Sequence, residues 1–161
     1  MLIRQAQVSD FPRILDINVT EEEKTSQIDL ARIAQLDRWA DYHRVAVVDD
    51  VVIGFLLVMS EASDYDGDNF RWFVERYNRF LYVDRIVIDR TAARSGIGSA
   101  LYRDLIQFGA TKGCSRLCCE INVSPPNPAS HAFHARFGFK EVGRSAATGT
   151  PKIVTYQMAE L

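Results

Sequence analysis

Very little in this chain could hold it together other than its own core. Only three of its 161 residues are cysteine, Cys114, Cys118 and Cys119. An odd number without Cys-x-x-Cys spacing argues against a disulfide framework or a zinc site and leaves reduced, buried thiols. Positive charge is not in excess: 19 Lys and Arg against 21 Asp and Glu give a net charge of −2. The basic surface of a nucleic-acid binder is therefore missing. Long apolar runs are absent too, since Val51–Met59 falls well short of the ~20 residues that span a bilayer. The opening Met1-Leu-Ile-Arg-Gln-Ala has no long apolar h-region. These absences predict a cytoplasmic protein with neither a membrane nor a nucleic acid as partner.

What is present is patterned. A hydrophobic share of 47% and a length of 161 residues suit one domain, residues 1–161, with one substantial core. Ile3–Ala6 reads as a short strand; Ser9 offers an N-cap, and Pro12 fits the first turn of a helix bearing Phe11, Ile14 and Leu15. Ser26 with Asp29 resembles a capping box for a second helix, whose Leu30, Ile33 and Ala34 run to about Trp39. Arg44–Val48 and Val51–Met59 flank Asp49-Asp50 as a hairpin with an acidic turn. Glu61–Phe80 breaks the pattern with acids and aromatics before Leu81–Ile88 resumes as a strand. Ile97, Leu101, Leu105 and Phe108 share a helical face closed by Gly113, and Leu117, Cys119, Ile121 and Val123 then alternate as a strand. Pro125, Pro126 and Pro128 interrupt hydrogen bonding, so the chain must splay from its neighbour there. A helix over Ala129–Phe137 ending at Gly138, and strands near Phe139–Val142 and Ile153–Met158, complete an α/β pattern.

The most informative segment is Arg94-Ser-Gly-Ile-Gly-Ser-Ala100, between a strand and a helix. Glycines 96 and 98 let the backbone turn tightly and approach a ligand without a Cβ in the way. The helix start adds unpaired N–H groups and the positive end of its dipole, so a diphosphate is the natural guest. A P-loop would need a lysine beside the second glycine, and a dinucleotide fingerprint would need a third glycine where Leu101 stands. Nucleoside triphosphate, nicotinamide and flavin binding all lose ground.

Three segments together resemble the GNAT superfamily of N-acetyltransferases over essentially the whole length. They are Ile3-Arg4-Gln5-Ala6 with Asp10-Phe11-Pro12, Arg94-Ser95-Gly96-Ile97-Gly98, and Asn127, Ser130 and His134 with Phe137-Gly138-Phe139. The resemblance implies a mixed, mostly antiparallel central sheet, splayed at its centre, with helices on both faces. It also implies acetyl-CoA as cofactor. The diphosphate would lie on Arg94, Ser95, Gly96, Ile97, Gly98 and Ser99, and the pantetheine along the backbone of Ile86, Val87 and Ile88. Asn127 and Ser130 would complete the cofactor contacts. The family usually places Gln or Arg three residues before the first glycine, whereas this chain has Ala93 there and Arg94 one place later. Backbone donors do not depend on that side chain.

Acetyl transfer to an amine needs a neutral amine, a polarised carbonyl and a protonated leaving thiolate. Asp84, read as sharing a face with Tyr82, Ile86 and Ile88, stands where family members often carry a catalytic glutamate. It is either a desolvated base or half of an ion pair with Arg85. His134 takes the position of the family's tyrosine and is either the acid for the thiolate or a helix histidine bonded to water, with Tyr82 as a second candidate acid. A backbone N–H near Val87 would polarise the carbonyl. Arg136 meets either the adenosine 3′-phosphate or solvent. Asp64, Asp66 and Asp68, with Tyr65, Phe70 and Trp72, suggest a lid favouring a cationic amine, bordered by Glu21–Lys24; the other reading is a solvated loop with core or dimer-contact aromatics. A small-molecule amine or amino acid is favoured as acceptor, and a homodimer is allowed. The alternatives are a protein N-terminal acetyltransferase and a non-catalytic acyl-CoA-binding or sensing domain.

Overall fold

A computed structural model describes residues 1–21, 27–145 and 152–161. In chain order the elements are β1 (Leu2–Gln5), α1 (Phe11–Val19), α2 (Leu30–Trp39), β2 (Tyr42–Val48), β3 (Val51–Ser60), α3 (Asp68–Val74) and β4 (Phe80–Ile88). They continue with α4 (Ile97–Thr111), β5 (Arg116–Ser124), α5 (Pro128–Ala135), β6 (Lys140–Arg144) and β7 (Ile153–Glu160). The strands form one sheet in the order β1-β2-β3-β4-β5-β7-β6. Every neighbouring pair is antiparallel except β4 and β5. The mixed, helix-flanked architecture expected from the resemblance is the one observed. Among the described residues no helix is long and apolar enough to cross a membrane.

Local chemistry sets the boundaries. The hairpin between β2 and β3 turns on Asp49 and Asp50, both at positive φ (49° and 63°), which short polar side chains tolerate and hairpin twist demands. Asp29 is the N-cap of α2, its carboxylate accepting from the Arg32 N–H at 2.7 Å. Ser26, expected to start that helix, lies outside the described residues. Gly113 (φ 70°) and Gly138 (φ 82°) take the left-handed conformation just after α4 and α5, as their places in the sequence predicted.

Two cores form on the two faces of the sheet. One face carries α1, α2 and α3, with Phe11, Ile14, Ile17, Ile33, Leu36, Phe70 and Phe73 packed on Phe55, Leu57 and Tyr82. The other carries α4, with Ile97, Leu101, Tyr102 and Leu105 on Leu56, Val58, Val83 and Ile121. Helix α3 falls inside the stretch read as an acidic, aromatic break. Its aromatics are structural: Phe73 is fully buried against Phe80, Tyr82 and Tyr156, and Trp72 stacks on Tyr156 at 4.1 Å between centroids. Helix α3 thus supplies core and leaves only its rim for contact with a substrate.

One irregularity corrects the expected alternation along β4. Leu57 pairs with Arg85 and the next residue, Val58, with Val83, so Asp84 is an extra residue in the strand. Beyond the bulge the faces invert relative to simple alternation. Tyr82 lies in the core under α1 and α3, whereas Ile86 and Ile88 pack against the α4 core. Asp84 therefore does not share a face with Ile86 and Ile88.

If α3 is core, Phe73→Ala lowers unfolding free energy by about 3–5 kcal/mol, whereas Asp64→Asn on the exposed loop changes it by less than about 0.5 kcal/mol. Urea titration of both variants checks this, and comparable values for the two would return α3 to the role of a lid.

Candidate active site

The site begins where two strands part. β4 and β5 pair over three positions only, Phe80 with Arg116, Leu81 with Leu117 and Tyr82 with Cys118. Beyond them the strands diverge, and β5 goes on pairing with β7 on its other side as far as Ser124. The opening is a cleft of about 1290 Å³ that reaches both faces of the sheet. That volume exceeds the ~300–1,000 Å³ of an ordinary small-ligand site, leaving room for a long cofactor and a second substrate.

The α4 face of the cleft holds the cradle. Arg94 (φ 62°) and Gly96 (φ 84°) both turn left-handed, and Gly96 is the N-cap of α4. The helix ladder opens with Ala100 N–H donating to Gly96 O at 3.0 Å, so the amides of Ile97, Gly98 and Ser99 belong to the unladdered first turn. All of Arg94 through Ser99 line the cleft. Gly98 meets a further demand, because a Cβ there would stand 3.3 Å from the Phe133 ring of α5. The cradle suits a diphosphate through backbone donors and dipole, with Arg94 exposed at its lip.

The edge of β4 fits an extended arm, with a change in which residues offer it. Asp89 N–H donates to Ile53 O at 2.8 Å and Val87 pairs with Phe55, so the amides of Val87 and Asp89 face β3. Alternation turns the backbone groups of Ile86 and Ile88 into the gap. Val87 lines the cleft with its own N–H turned to β3, so of the N–H groups around it those of Ile86 and Ile88 are the ones placed as oxyanion donors. On the far wall Asn127 caps α5, its Oδ1 accepting from the Ser130 N–H at 3.3 Å, and both residues line the cleft. Arg136 lines it too, its guanidinium 5.6 Å from the Phe133 ring centre.

His134 also lines the cleft, but both ring nitrogens are engaged. Nδ1 lies 2.8 Å from Ser130 O, a carbonyl that can only accept, so Nδ1 carries the hydrogen. Nε2 then accepts from the Tyr102 hydroxyl at 2.6 Å. Burial, the largest effect, pushes the imidazole down to about 4. A ring so held is neutral at neutral pH and its one N–H is committed to Ser130 O, an arrangement that does not favour the expected acid. Instead His134 joins α5 to α4. Tyr82 is no substitute: it is buried, is absent from the described cleft lining, and donates to Glu120 Oε2 at 2.5 Å.

The opposite face carries the charges. The bulge in β4 puts Asp84 and Arg85 side by side, both side chains 4% exposed, with Arg85 Nε donating to Asp84 Oδ2 at 2.7 Å. Asp84 Oδ1 accepts from the Tyr65 hydroxyl at 2.5 Å, and Asn18 Oδ1 accepts from Arg85 at 3.0 Å. Of the two readings open for Asp84, the ion pair is the one present, and both carboxylate oxygens are engaged.

The carboxylate that sequence reading missed is Glu120, on β5 directly across the gap. It lines the cleft and faces the same side as its partner Tyr156. Desolvation raises it to about 7, with the Asp84 charge adding to the rise, while hydrogen bonds from Tyr82 and Asn69 pull the other way. Its signal was in the sequence: an acid between Cys119 and Ile121, on the face that the apolar residues of the strand leave to the other side.

The proposed acidic lid does not act as a unit. Asp66 is held by a two-pronged bond from Arg32, at 2.7 and 3.1 Å, and faces α2. Of the three aspartates only Asp68 lines the cleft, almost fully exposed at its rim, while Phe70 is core. Glu21 lines the cleft near Arg90, and the rest of Glu21–Lys24 lies outside the described residues. Among the described residues no cluster suits a metal.

Comparison with known proteins agrees with this geometry. No curated protein matches the sequence. Ribosomal-protein-alanine N-acetyltransferase from Brucella melitensis superposes with a TM-score of 0.73 at 23% identity over 100% of both chains. Ard1 from Thermoplasma volcanium gives 0.81 at 18% identity, covering 99% of this chain and 97% of its own. The putative acetyltransferase yncA from Salmonella typhimurium, solved with its cofactor acetyl-CoA, gives 0.74 at 19% over 100% and 94%. At such identities these likenesses establish the fold. The acetyltransferase (GNAT) family model matches residues 3–139, from the first strand through the cradle to the turn after α5. That match runs unbroken through both walls of the cleft, so the chain belongs to the GNAT family of acetyl-CoA-dependent N-acetyltransferases.

Proposed function

We propose that this enzyme acetylates a primary amine that enters from the α1/α3 face, opposite the cradle, with Glu120 as its general base. Acetyl-CoA, when bound, supplies an acetyl group activated as a thioester. The observation that carries the reading is a carboxylate that lines the cleft on the far side of the gap from the cradle, hydrogen-bonded by Tyr82, with burial raising its affinity for a proton. A base works best when its pKa lies near the operating pH, which Glu120 meets and an ordinary Asp near 3.9 does not. Asp84, kept in its ion pair, acts as a fixed negative charge beside that base. Arg94–Ser99 hold the diphosphate, Asn127 and Ser130 border the arm, and the amides of Ile86 and Ile88 face the reacting end. The leaving group departs as a thiolate and is reprotonated from water.

The carboxylates Asp84, Glu120 and Asp68 on the acceptor side favour a cationic amine, so a small amine or amino acid is the first reading of the acceptor. A protein amino terminus is the second. It suits the direction in which burial moves Glu120, since a base raised above the ordinary carboxylate range is better matched to a peptide α-amine at about 7.7–8.0 than to a lysine-like amine at about 10.4. The Brucella melitensis neighbour is named a ribosomal-protein-alanine N-acetyltransferase. Thioester consumption with free amino acids, alkylamines and alanine-initiated peptides decides between them, and silence across the whole panel overturns the reading.

Glu120→Gln lowers turnover by about 100-fold or more while CoA affinity stays near parent. In the parent, kcat/KM for the acceptor rises with pH through about 7, and Asp84→Asn moves that midpoint downward. The stability sign follows from the raised value. Native Glu120 holds its proton more tightly than the unfolded chain, so its contribution is complete below 4.5 and is lost as pH rises through about 7. Glu120→Gln therefore gains stability over the parent at pH 8 but not at pH 4. A flat parent profile between pH 6 and 8 would remove Glu120 from the role.

For the cradle, Ser99→Glu separates fold from binding. An acid in the first turn of α4 stabilises the helix by about 0.3–1 kcal/mol, whereas beside a diphosphate it lowers CoA affinity by about tenfold or more. Calorimetric titration with CoA and thermal melting should move in opposite directions; undiminished CoA affinity would place the diphosphate elsewhere.

A further inference from the structure

Gly67 has no conformational reason to be glycine. It caps the N-terminus of α3 at φ −70° and ψ 133°, a region open to any residue. The reason is spatial. A Cβ at position 67 would stand 2.5 Å from Tyr65 Cε1, 2.7 Å from Cζ and 2.9 Å from the hydroxyl. Tyr65 folds back over this residue, flanked by Trp39, Phe70 and Tyr82 at 6.0, 5.5 and 6.1 Å between centroids. From there its hydroxyl reaches Asp84 at 2.5 Å, while the side chain lines the cleft.

We propose that Tyr65 is a positioning residue for the acceptor, fixing Asp84 and walling the acceptor side, and that Gly67 is the space on which this placement depends. The inference rests on the acceptor entering from the α1/α3 face. The ring tip is the mobile end of a side chain, so a Cβ at 67 displaces the phenol at little cost to the fold. What is lost is the bond to Asp84 Oδ1. Among the described residues the Tyr65 hydroxyl is the partner given for that oxygen, so its loss leaves the carboxylate with Arg85 on the other. A cationic amine then meets a carboxylate in several orientations instead of one, at the cost of binding more than of chemistry.

The experiment compares Tyr65→Phe, Gly67→Ala, Gly67→Asn and the double variant Tyr65→Phe/Gly67→Ala. The asparagine matters because it is a good helix cap yet carries a Cβ, so it separates loss of space from loss of the cap. We expect acceptor KM to rise about tenfold in each single variant, with kcat within about threefold and CoA affinity unchanged. The double variant should be no worse than either single one. Parent kinetics in Gly67→Asn, or multiplied effects in the double variant, would overturn the proposal. Should the parent turn over no amine at all, the functional reading fails by itself and the placement is still read by NMR. Ring signals of Tyr65 in ¹³C-tyrosine-labelled protein should shift in both Gly67 variants while those of Tyr42, on the α4 face, stay. Unshifted Tyr65 signals would equally overturn it.

Discussion

Everything distinctive in this molecule follows from two parallel strands that stop pairing after three residues. A parallel pair inside an otherwise antiparallel sheet leaves both strands with unused backbone groups once they diverge, and buried groups of that kind need partners. On β5 the partners on one side come from β7, which inserts between β5 and β6. On β4 they come from β3, through the register fixed by Ile53 with Asp89 and Phe55 with Val87. Past Tyr82 and Cys118 the facing edges no longer pair with each other, and the proposed cofactor arm lies in that gap.

The polar chemistry divides along the same line. On the α4 face of the cleft the groups are mostly backbone and carry no carboxylate: helix-start amides, the Asn127 cap, the His134 imidazole bonded to Tyr102, and the cations Arg94 and Arg136. On the α3 face they are carboxylates, an arginine and phenols, in the chain Tyr65, Asp84, Arg85 and Asn18 and in the cluster Tyr82, Glu120 and Asn69. The bulge at Asp84 makes the division possible. Without the extra residue in β4, Asp84 and Arg85 would point to opposite sides, and a buried ion pair would become two buried, unpaired charges, a costly arrangement.

How much of this was legible in the sequence depended on how local the determining force was. The cradle, the Asp49-Asp50 turn, the caps at Gly113 and Gly138 and the apolar faces of α1, α2 and α4 are set within a few residues, and pattern was enough to find them. Helix α3 was hidden because its aromatics are spent on contacts distant in sequence, Trp72 and Phe73 on Tyr156, and an acidic, aromatic stretch shows no clean period. The face of Ile86 and Ile88 was misjudged because a bulge is a property of the pairing between β3 and β4, which one strand read alone cannot show. His134 was misjudged for a similar reason. Its chemistry is decided by Tyr102, on another helix 32 residues away, and by how little water reaches it. Glu120 was overlooked because alternation drew attention to the apolar residues on either side of it.

The sheet is also a partition. On the proposed reading one substrate's binding groups lie on its α4 face and the other's on its α3 face, and the two meet through the gap between β4 and β5. A change to the wall at Tyr65, Asn69 or Asp68 leaves the cradle untouched, and a change at Ser99 leaves the carboxylate chamber untouched. Such a molecule can drift towards new acceptors by altering one face at a time, its grip on the donor inherited intact.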